Sequence, residues 1–239
     1  MKSYNINCST IQNKSKTAVI VFPGTNCEIE TAKAIEIFSG EKPDFIYSNE
    51  RIEKDYELIV LPGGFSYGDY LRPGSISSML PLLEDIKLHA ENDRLLLGVC
   101  NGFQILTECG MLPGVLMKND NLKFICKDVE LEINDLANKF TSLSYKTNAI
   151  MPVAHGYGKY YCDEDTLGYL RNNNMIALTY KENINGSTAN IAGITNRRGN
   201  VLGMMPHPER AVFSHHSSLD GRLIFASALK KWLPSKKWI

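Results

Sequence analysis

Three apolar runs that stop abruptly at glycine or proline constrain this chain more than any other feature. Thr17-Ala-Val-Ile-Val-Phe22 stops at Pro23-Gly24, Leu58-Ile-Val-Leu61 at Pro62-Gly63-Gly64, and Leu95-Leu-Leu97 at Gly98. Each run is short and continuous rather than alternating, as strands buried on both faces require. Helical spacing lies between them. Asn26 is placed to cap a helix reaching Phe38, with Ile29, Ala32, Ile35 and Phe38 on one face and Gly40 as the stop. Phe45-Ile-Tyr47 reads as a further strand, residues 75–91 as a helix, and Gly102 to Cys109 as a helix closed by Gly110. Strands alternating with helices predict an α/β fold, a mostly parallel sheet flanked by helices.

Beyond Asn121 the pattern changes. Val129, Leu131 and Ile133 alternate with charged residues, which suits a half-exposed antiparallel strand. Ile191–Thr195 and Val201–Met205 flank Asn196-Arg-Arg-Gly-Asn200 and read as a hairpin, and a last helix spans about Leu219 to Leu233. The sheet therefore gains an antiparallel extension. No repeat or linker divides the chain. The reading is one domain over residues 17–239, preceded by a flexible extension over residues 1–16.

Composition excludes several classes of function. With 26 basic and 26 acidic residues, no bulk charge is available to hold nucleic acid or a membrane surface. The N-terminus has no apolar core of a secretory signal, and no run approaches the roughly 18 apolar residues of a membrane span, so a cytoplasmic location is expected. The cysteines at 8, 27, 100, 109, 126 and 162 form no C-x-x-C pair, so neither a metal knuckle nor a redox dithiol is signalled, and free thiols are expected. No G-x-x-x-x-G-K-[ST] loop occurs, so ATP binding is not assigned to this chain.

One cysteine stands apart. Gly98-Val-Cys-Asn-Gly102 has the G-x-C-x-G form of a strand–turn–helix elbow with cysteine as nucleophile. Small flanking residues allow the sharp turn, and the following helix start favours thiolate and offers N–H groups to an oxyanion. A buried cysteine in a tightly packed turn would fit the same pentapeptide. A nucleophilic Cys100 needs a base. His89, in a charged stretch, and His215 and His216, in a serine-rich loop, read as solvated. His207 differs, because Met204-Met-Pro-His-Pro-Glu-Arg210 holds it between prolines. In an extended segment Glu209 falls on the same side as His207 and can fix its tautomer. On its own the pair also fits an exposed strand end; with the elbow it completes a Cys100–His207–Glu209 triad. The Pro62-Gly63-Gly64 loop lies on the same sheet edge and brings bare backbone to a substrate. Cys27, also near a strand–helix junction, is a rival thiol without flanking glycines.

These motifs resemble those of class I, triad-type glutamine amidotransferases. More narrowly, VFPGTNCE, LPGGFSYGDYLRPG, NDNLKFICKDV, PVAHGYGKYY and NIAGITNRRGNVLGMMPHPERA resemble the glutaminase subunits of phosphoribosylformylglycinamidine synthases over nearly the whole chain. The resemblance implies a flavodoxin-like domain in which Cys100 attacks the γ-amide of glutamine. It implies an oxyanion hole of the Gly64 and Asn101 N–H groups, and glutamine contacts from Gly63, Gly64, Phe65, Gln104, His155 and Gly156. It further implies no cofactor and no metal on this chain. Ammonia would pass to a large synthetase subunit that uses ATP and Mg, with a small accessory subunit bridging the two, in purine biosynthesis. Two other readings keep the elbow: a DJ-1/protease-I-like hydrolase, whose carboxylate is placed differently, and a non-catalytic module, which commonly lacks the cysteine or the histidine.

Overall fold

The computed structural model describes residues 16–144 and 146–230. The N-terminal extension, except Lys16, and the end of the last predicted helix lie outside them. In chain order the elements are β1 (Thr17–Val21), α1 (Glu28–Ser39), β2 (Asp44–Tyr47), β3 (Leu58–Leu61), α2 (Leu82–Glu91), β4 (Leu95–Val99), α3 (Asn101–Glu108), β5 (Val115–Met117) and β6 (Ile125–Ile133). They continue with β7 (Asn148–His155), β8 (Lys159–Tyr161), α4 (Glu164–Asn172), β9 (Ile176–Tyr180), β10 (Ile191–Thr195), β11 (Val201–Met204) and α5 (Arg222–Leu229).

The apolar runs become the parallel half of a nine-stranded sheet ordered β2-β1-β3-β4-β11-β10-β9-β6-β7. β2, β1, β3, β4 and β11 are parallel neighbours, and β10, β9, β6 and β7 continue antiparallel. Every residue of β3 is buried, and each such side chain contributes about 1.5–3 kcal/mol. The expected hairpin is present, with β10 antiparallel to β11 around residues 196–200. β5 and β8 pair apart from the main sheet. α1 and α5 pack together, with Phe38 and Phe225 stacked at 6.1 Å. α3 lies against β3, β4 and β11.

Helix boundaries differ from the sequence reading by one to several residues, α3 spanning Asn101–Glu108 and α5 starting at Arg222. The helical pattern over 75–91 splits into a 3₁₀ turn at Ser77–Met79 and α2 from Leu82, with Pro81 at the N-cap, because proline fits a helix start and not its interior. α1 begins one residue later than expected. Cys27, not Asn26, occupies its N-cap position, without a capping bond from its side chain. His89 is also not solvated. It is buried on α2 with Ile86 and Ala90, its Nε2 2.9 Å from Leu95 O. No helix among the described residues is long and apolar enough to cross a membrane. Cys27, Cys100, Cys109, Cys126 and Cys162 are all free.

The strand order positions the site. β1, β3, β4 and β11 lie side by side, and the segment after each runs off the same C-terminal edge. Those four segments carry Cys27, Gly63–Gly64, Cys100 and His207. The carboxyl edge of an open parallel sheet is where ligands bind.

Candidate active site

β4 runs into the elbow without a spacer: Val99 ends the strand, Cys100 is the N-cap and Asn101 starts α3. Cys100 has φ +49° and ψ −102°. Such a left-handed backbone costs a non-glycine residue about 1–3 kcal/mol and persists only where the surroundings hold it. Two bonds do so here. Cys100 N–H donates to Met204 O at 2.8 Å, and Cys100 O accepts from Gln104 N–H at 3.1 Å. The flanking glycines supply space. A Cβ at Gly102 would lie 2.0 Å from Leu61 O, and one at Gly98 would lie 2.8 Å from the Gly102 carbonyl. Neither has a positive φ, so crowding, not torsion, demands glycine there. The Cys100 side chain is buried, with Sγ 3.8 Å from Ala154 O.

β11, the next strand, delivers the histidine. His207 N–H donates to Pro152 O at 2.8 Å, and its Nδ1 lies 2.6 Å from Glu209 Oε1. The segment is not extended as the sequence reading has it. Pro208–Arg210 form a 3₁₀ turn, and the turn itself folds Glu209 back onto the ring. Both side chains are buried, and His207 Nε2 and Glu209 Oε2 make no hydrogen bond among the described residues. Burial opposes charge on His207, but the Glu209 carboxylate and the thiols of Cys100 and Cys27 outweigh it. The net effect holds its pKa well above 6.5. A buried imidazole so biased is fitted to take and keep a thiol proton.

The glycine loop after β3 closes the third side. A Cβ on Gly63 would come within 2.7 Å of His207 Cε1 and 3.0 Å of Cys27 Sγ. Gly64 has φ +154° and bridges Thr25, where a Cβ would meet Thr25 Cα at 2.7 Å. Among the described residues, neither Gly64 N–H nor Asn101 N–H enters a hydrogen bond. Phe65 N–H is spent on Gly24 O at 2.9 Å, and its ring is exposed. Asn101 ties the loop to the elbow, its Oδ1 accepting from Ser66 N–H at 3.1 Å.

Gln104, His155 and Gly156 stand behind this arrangement. Gln104 donates Nε2–H to Tyr157 O at 2.7 Å and accepts from Asn101 Nδ2–H at 2.9 Å, so both ends of its amide are committed to protein. His155 is buried with Nδ1 3.1 Å from Asn119 Oδ1, and burial pushes its pKa down to about 4. Its ring packs where a Cβ on Gly158 would lie, 2.2 Å away. Gly156 O accepts from Asn119 N–H. Asn119, fully buried, also donates to Lys123 O and His155 O and accepts from Gly158 N–H. It is a residue that spacing alone did not single out. His215 is exposed as expected, while His216 is half-buried, with Nδ1 accepting from the N–H groups of Val212 and Phe213.

Cys27 is closer to this chemistry than its sequence position suggests. The loop after β1 crosses the end of β3, with Asn26 and Cys27 N–H donating to Gly63 O at 3.3 and 3.2 Å. This carries Cys27 to the histidine, and ligand atoms of Cys27, His207 and Glu209 all lie within 4.8 Å of one another. Arg210 Nη2 donates to Cys27 Sγ at 3.1 Å, and its Nε pairs with Glu30 at 2.8 Å. Burial raises the Cys27 thiol pKa, although His207 and Arg210 pull it down.

The model of the CobB/CobQ-like glutamine amidotransferase domain family matches residues 14–234. A chain in the structure of PurLQS from Thermotoga maritima is 41% identical, covering 91% of this chain and 98% of that one at a TM-score of 0.83. Two more distant structures share the fold alone. The glutaminase domain of Trypanosoma brucei CTPS with bound acivicin is 14% identical over 95% of this chain and 97% of that one, at a TM-score of 0.60. A glutamine amidotransferase from Thermotoga maritima is 18% identical over 83% and 77%, at 0.55.

Proposed function

The chain belongs to the CobB/CobQ-like glutamine amidotransferase family, and we propose that it is the glutaminase subunit of a phosphoribosylformylglycinamidine synthase. The observation that carries this assignment is the near end-to-end likeness to a chain of PurLQS. The chemistry rests on the convergence of Cys100, His207 and the glycine loop at one sheet edge.

In this reading His207, held by Glu209 at Nδ1, takes the Cys100 proton at Nε2. The thiolate attacks the γ-amide carbon of glutamine. Negative charge gathers on the amide oxygen and is met by the N–H groups of Gly64 and Asn101. The tetrahedral species collapses by breaking the C–N bond, His207 protonates the departing ammonia, and a γ-glutamyl thioester remains. Water, deprotonated by His207, then cleaves the thioester to give glutamate and free thiol. Gly63, Gly64 and the 155–156 segment border the substrate. Gln104 acts by holding Asn101 and the Tyr157 carbonyl. The side chain of Phe65 faces outward from the loop.

Ammonia is delivered to a large synthetase subunit that aminates formylglycinamide ribonucleotide with ATP and Mg, in a cytoplasmic complex bridged by a small accessory subunit. This chain uses no cofactor of its own for glutamine hydrolysis. Turnover is weak until the synthetase docks, because unpartnered hydrolysis wastes glutamine. The test is ammonia release from glutamine by wild type and Cys100→Ala, each with and without the large subunit. Activity that needs both Cys100 and the partner is the expected result. Full wild-type turnover by the chain alone would remove the coupling and keep the chemistry. No activity in any mixture would overturn both.

A further inference from the structure

Cys27 takes no part in the proposed reaction, yet it is buried against the two residues that serve the nucleophile. Soft and acidic donors converge there: a thiol, an imidazole nitrogen and a carboxylate oxygen within 4.8 Å of one another. Glu209 Oε2, fully buried, makes no hydrogen bond among the described residues, and His207 faces the thiols of both Cys27 and Cys100. Sulfur, nitrogen and carboxylate oxygen are the donor set that zinc prefers. A tetrahedral zinc with bonds of about 2.0–2.3 Å places its donors roughly 3.3–3.5 Å apart. The three donors already lie within 4.8 Å of one another, and the 2.6 Å His207 Nδ1–Glu209 Oε1 contact opens as the ion enters.

We propose that Cys27, His207 and Glu209 form an inhibitory site for a zinc-class divalent cation. Binding breaks the Cys27 S–H bond and the N–H bond at the His207 nitrogen that coordinates, forms metal–thiolate and metal–imidazole bonds, and releases these two protons to solvent. Thiolate and carboxylate together neutralise the ion. Arg210, which already donates to Cys27 Sγ, stays outside the coordination sphere and is itself balanced by Glu30. The metal occupies the ring or the carboxylate that the base requires, so His207 can no longer exchange a proton with Cys100. Gly63 leaves room for this, since any side chain there would press on both His207 and Cys27. The inhibitory consequence rests on the glutaminase reading, whereas the metal site itself does not.

The test uses the full-length chain with cobalt as a spectroscopic probe and zinc by chelator competition, neither of which needs turnover. Wild type and Cys100→Ala are expected to bind one cobalt with a thiolate-to-metal charge-transfer band. Cys27→Ser is expected to lose that band. It is also expected to bind zinc at least about tenfold more weakly, since loss of even a supporting partner costs that much. Circular dichroism shows whether Cys27→Ser is folded; Glu209→Gln, which keeps the thiol, is the second variant and should weaken zinc binding while retaining the band. A band that vanishes in Cys100→Ala and persists in Cys27→Ser would overturn the proposal in favour of a Cys100–His207 chelate. Equal zinc affinity in wild type, Cys27→Ser and Glu209→Gln would also overturn it.

Discussion

Two corners of this molecule look alike on paper and differ in three dimensions. In each, a buried parallel strand ends near a helix whose N-cap is a cysteine: β1 leads to Cys27, and β4 leads to Cys100. β4 allows no slack. Cys100 follows the strand directly, at φ +49°, pinned by Met204 and by α3. The β1 corner has a loop from Phe22 to Asn26, and Cys27 rests at φ −106°. One corner stores strain to present a sulfur. The other is relaxed, and its sulfur is engaged by Asn26 and Arg210. A cysteine at a helix start is thus not a nucleophile by position alone; how the backbone enters the helix decides whether the sulfur is presented or packed away.

The largest effect that would separate the corners is loss of the thiol itself. Cys100→Ala is expected to lower glutaminase kcat by about 10⁴-fold or more, as removal of a covalent nucleophile does. Cys27→Ala, assayed in chelator-treated buffer, should cost less than about tenfold, since its sulfur forms no bond to substrate. Comparable losses in the two variants would erase the distinction.

Next comes the strip of backbone on which both corners lean. Gly64 abuts Thr25 and Asn26 on the β1 side, while Gly63 faces His207 and Cys27. Gly64→Ala should reduce kcat about 10²–10³-fold by displacing an oxyanion donor, with a smaller change in KM for glutamine. A matching collapse of thermal stability would mean that the residue serves the fold and not the oxyanion.

How much of this was legible follows the same division. Continuous apolar runs and the glycine spacing read directly as β1, β3, β4 and the elbow, because burial on both faces and crowding at residues 98 and 102 leave few alternatives. The His207–Glu209 pairing was legible too, although a 3₁₀ turn and not an extended chain achieves it. The segment between the elbow and β10 carries fainter signals. Pro152 argues against a strand, yet β7 is the sheet edge, where a missing N–H costs no ladder bond. α4 buries only Leu167 and Leu170, so its apolar stripe is faint. His89 sits among charges that mask its place beside Ile86 and Ala90 on the buried face. Nothing local foretells that Cys27 reaches His207. A loop crossing β3 determines it, and that crossing exists only after the sheet has formed.

The smallest prediction asks whether the taut corner is held from its far end. His89 Nε2 lies beside Leu95 O, the first carbonyl of β4, and no slack separates that strand from Cys100. Burial lowers the His89 pKa from 6.5, against a weaker opposing pull from the Leu95 carbonyl. Above pH 6.5 folded and unfolded chains both keep the ring neutral, and His89 contributes no pH dependence. Below it the unfolded chain gains a proton that the folded chain resists, so stability falls as pH drops from 6.5 toward the lowered folded pKa. His89→Gln removes this slope. The melting temperature of the variant should decline less than that of wild type between neutral and mildly acidic pH, by a few degrees at most in a domain of this size. Parallel melting curves across that range would mean that His89 is packed but does not resist its proton.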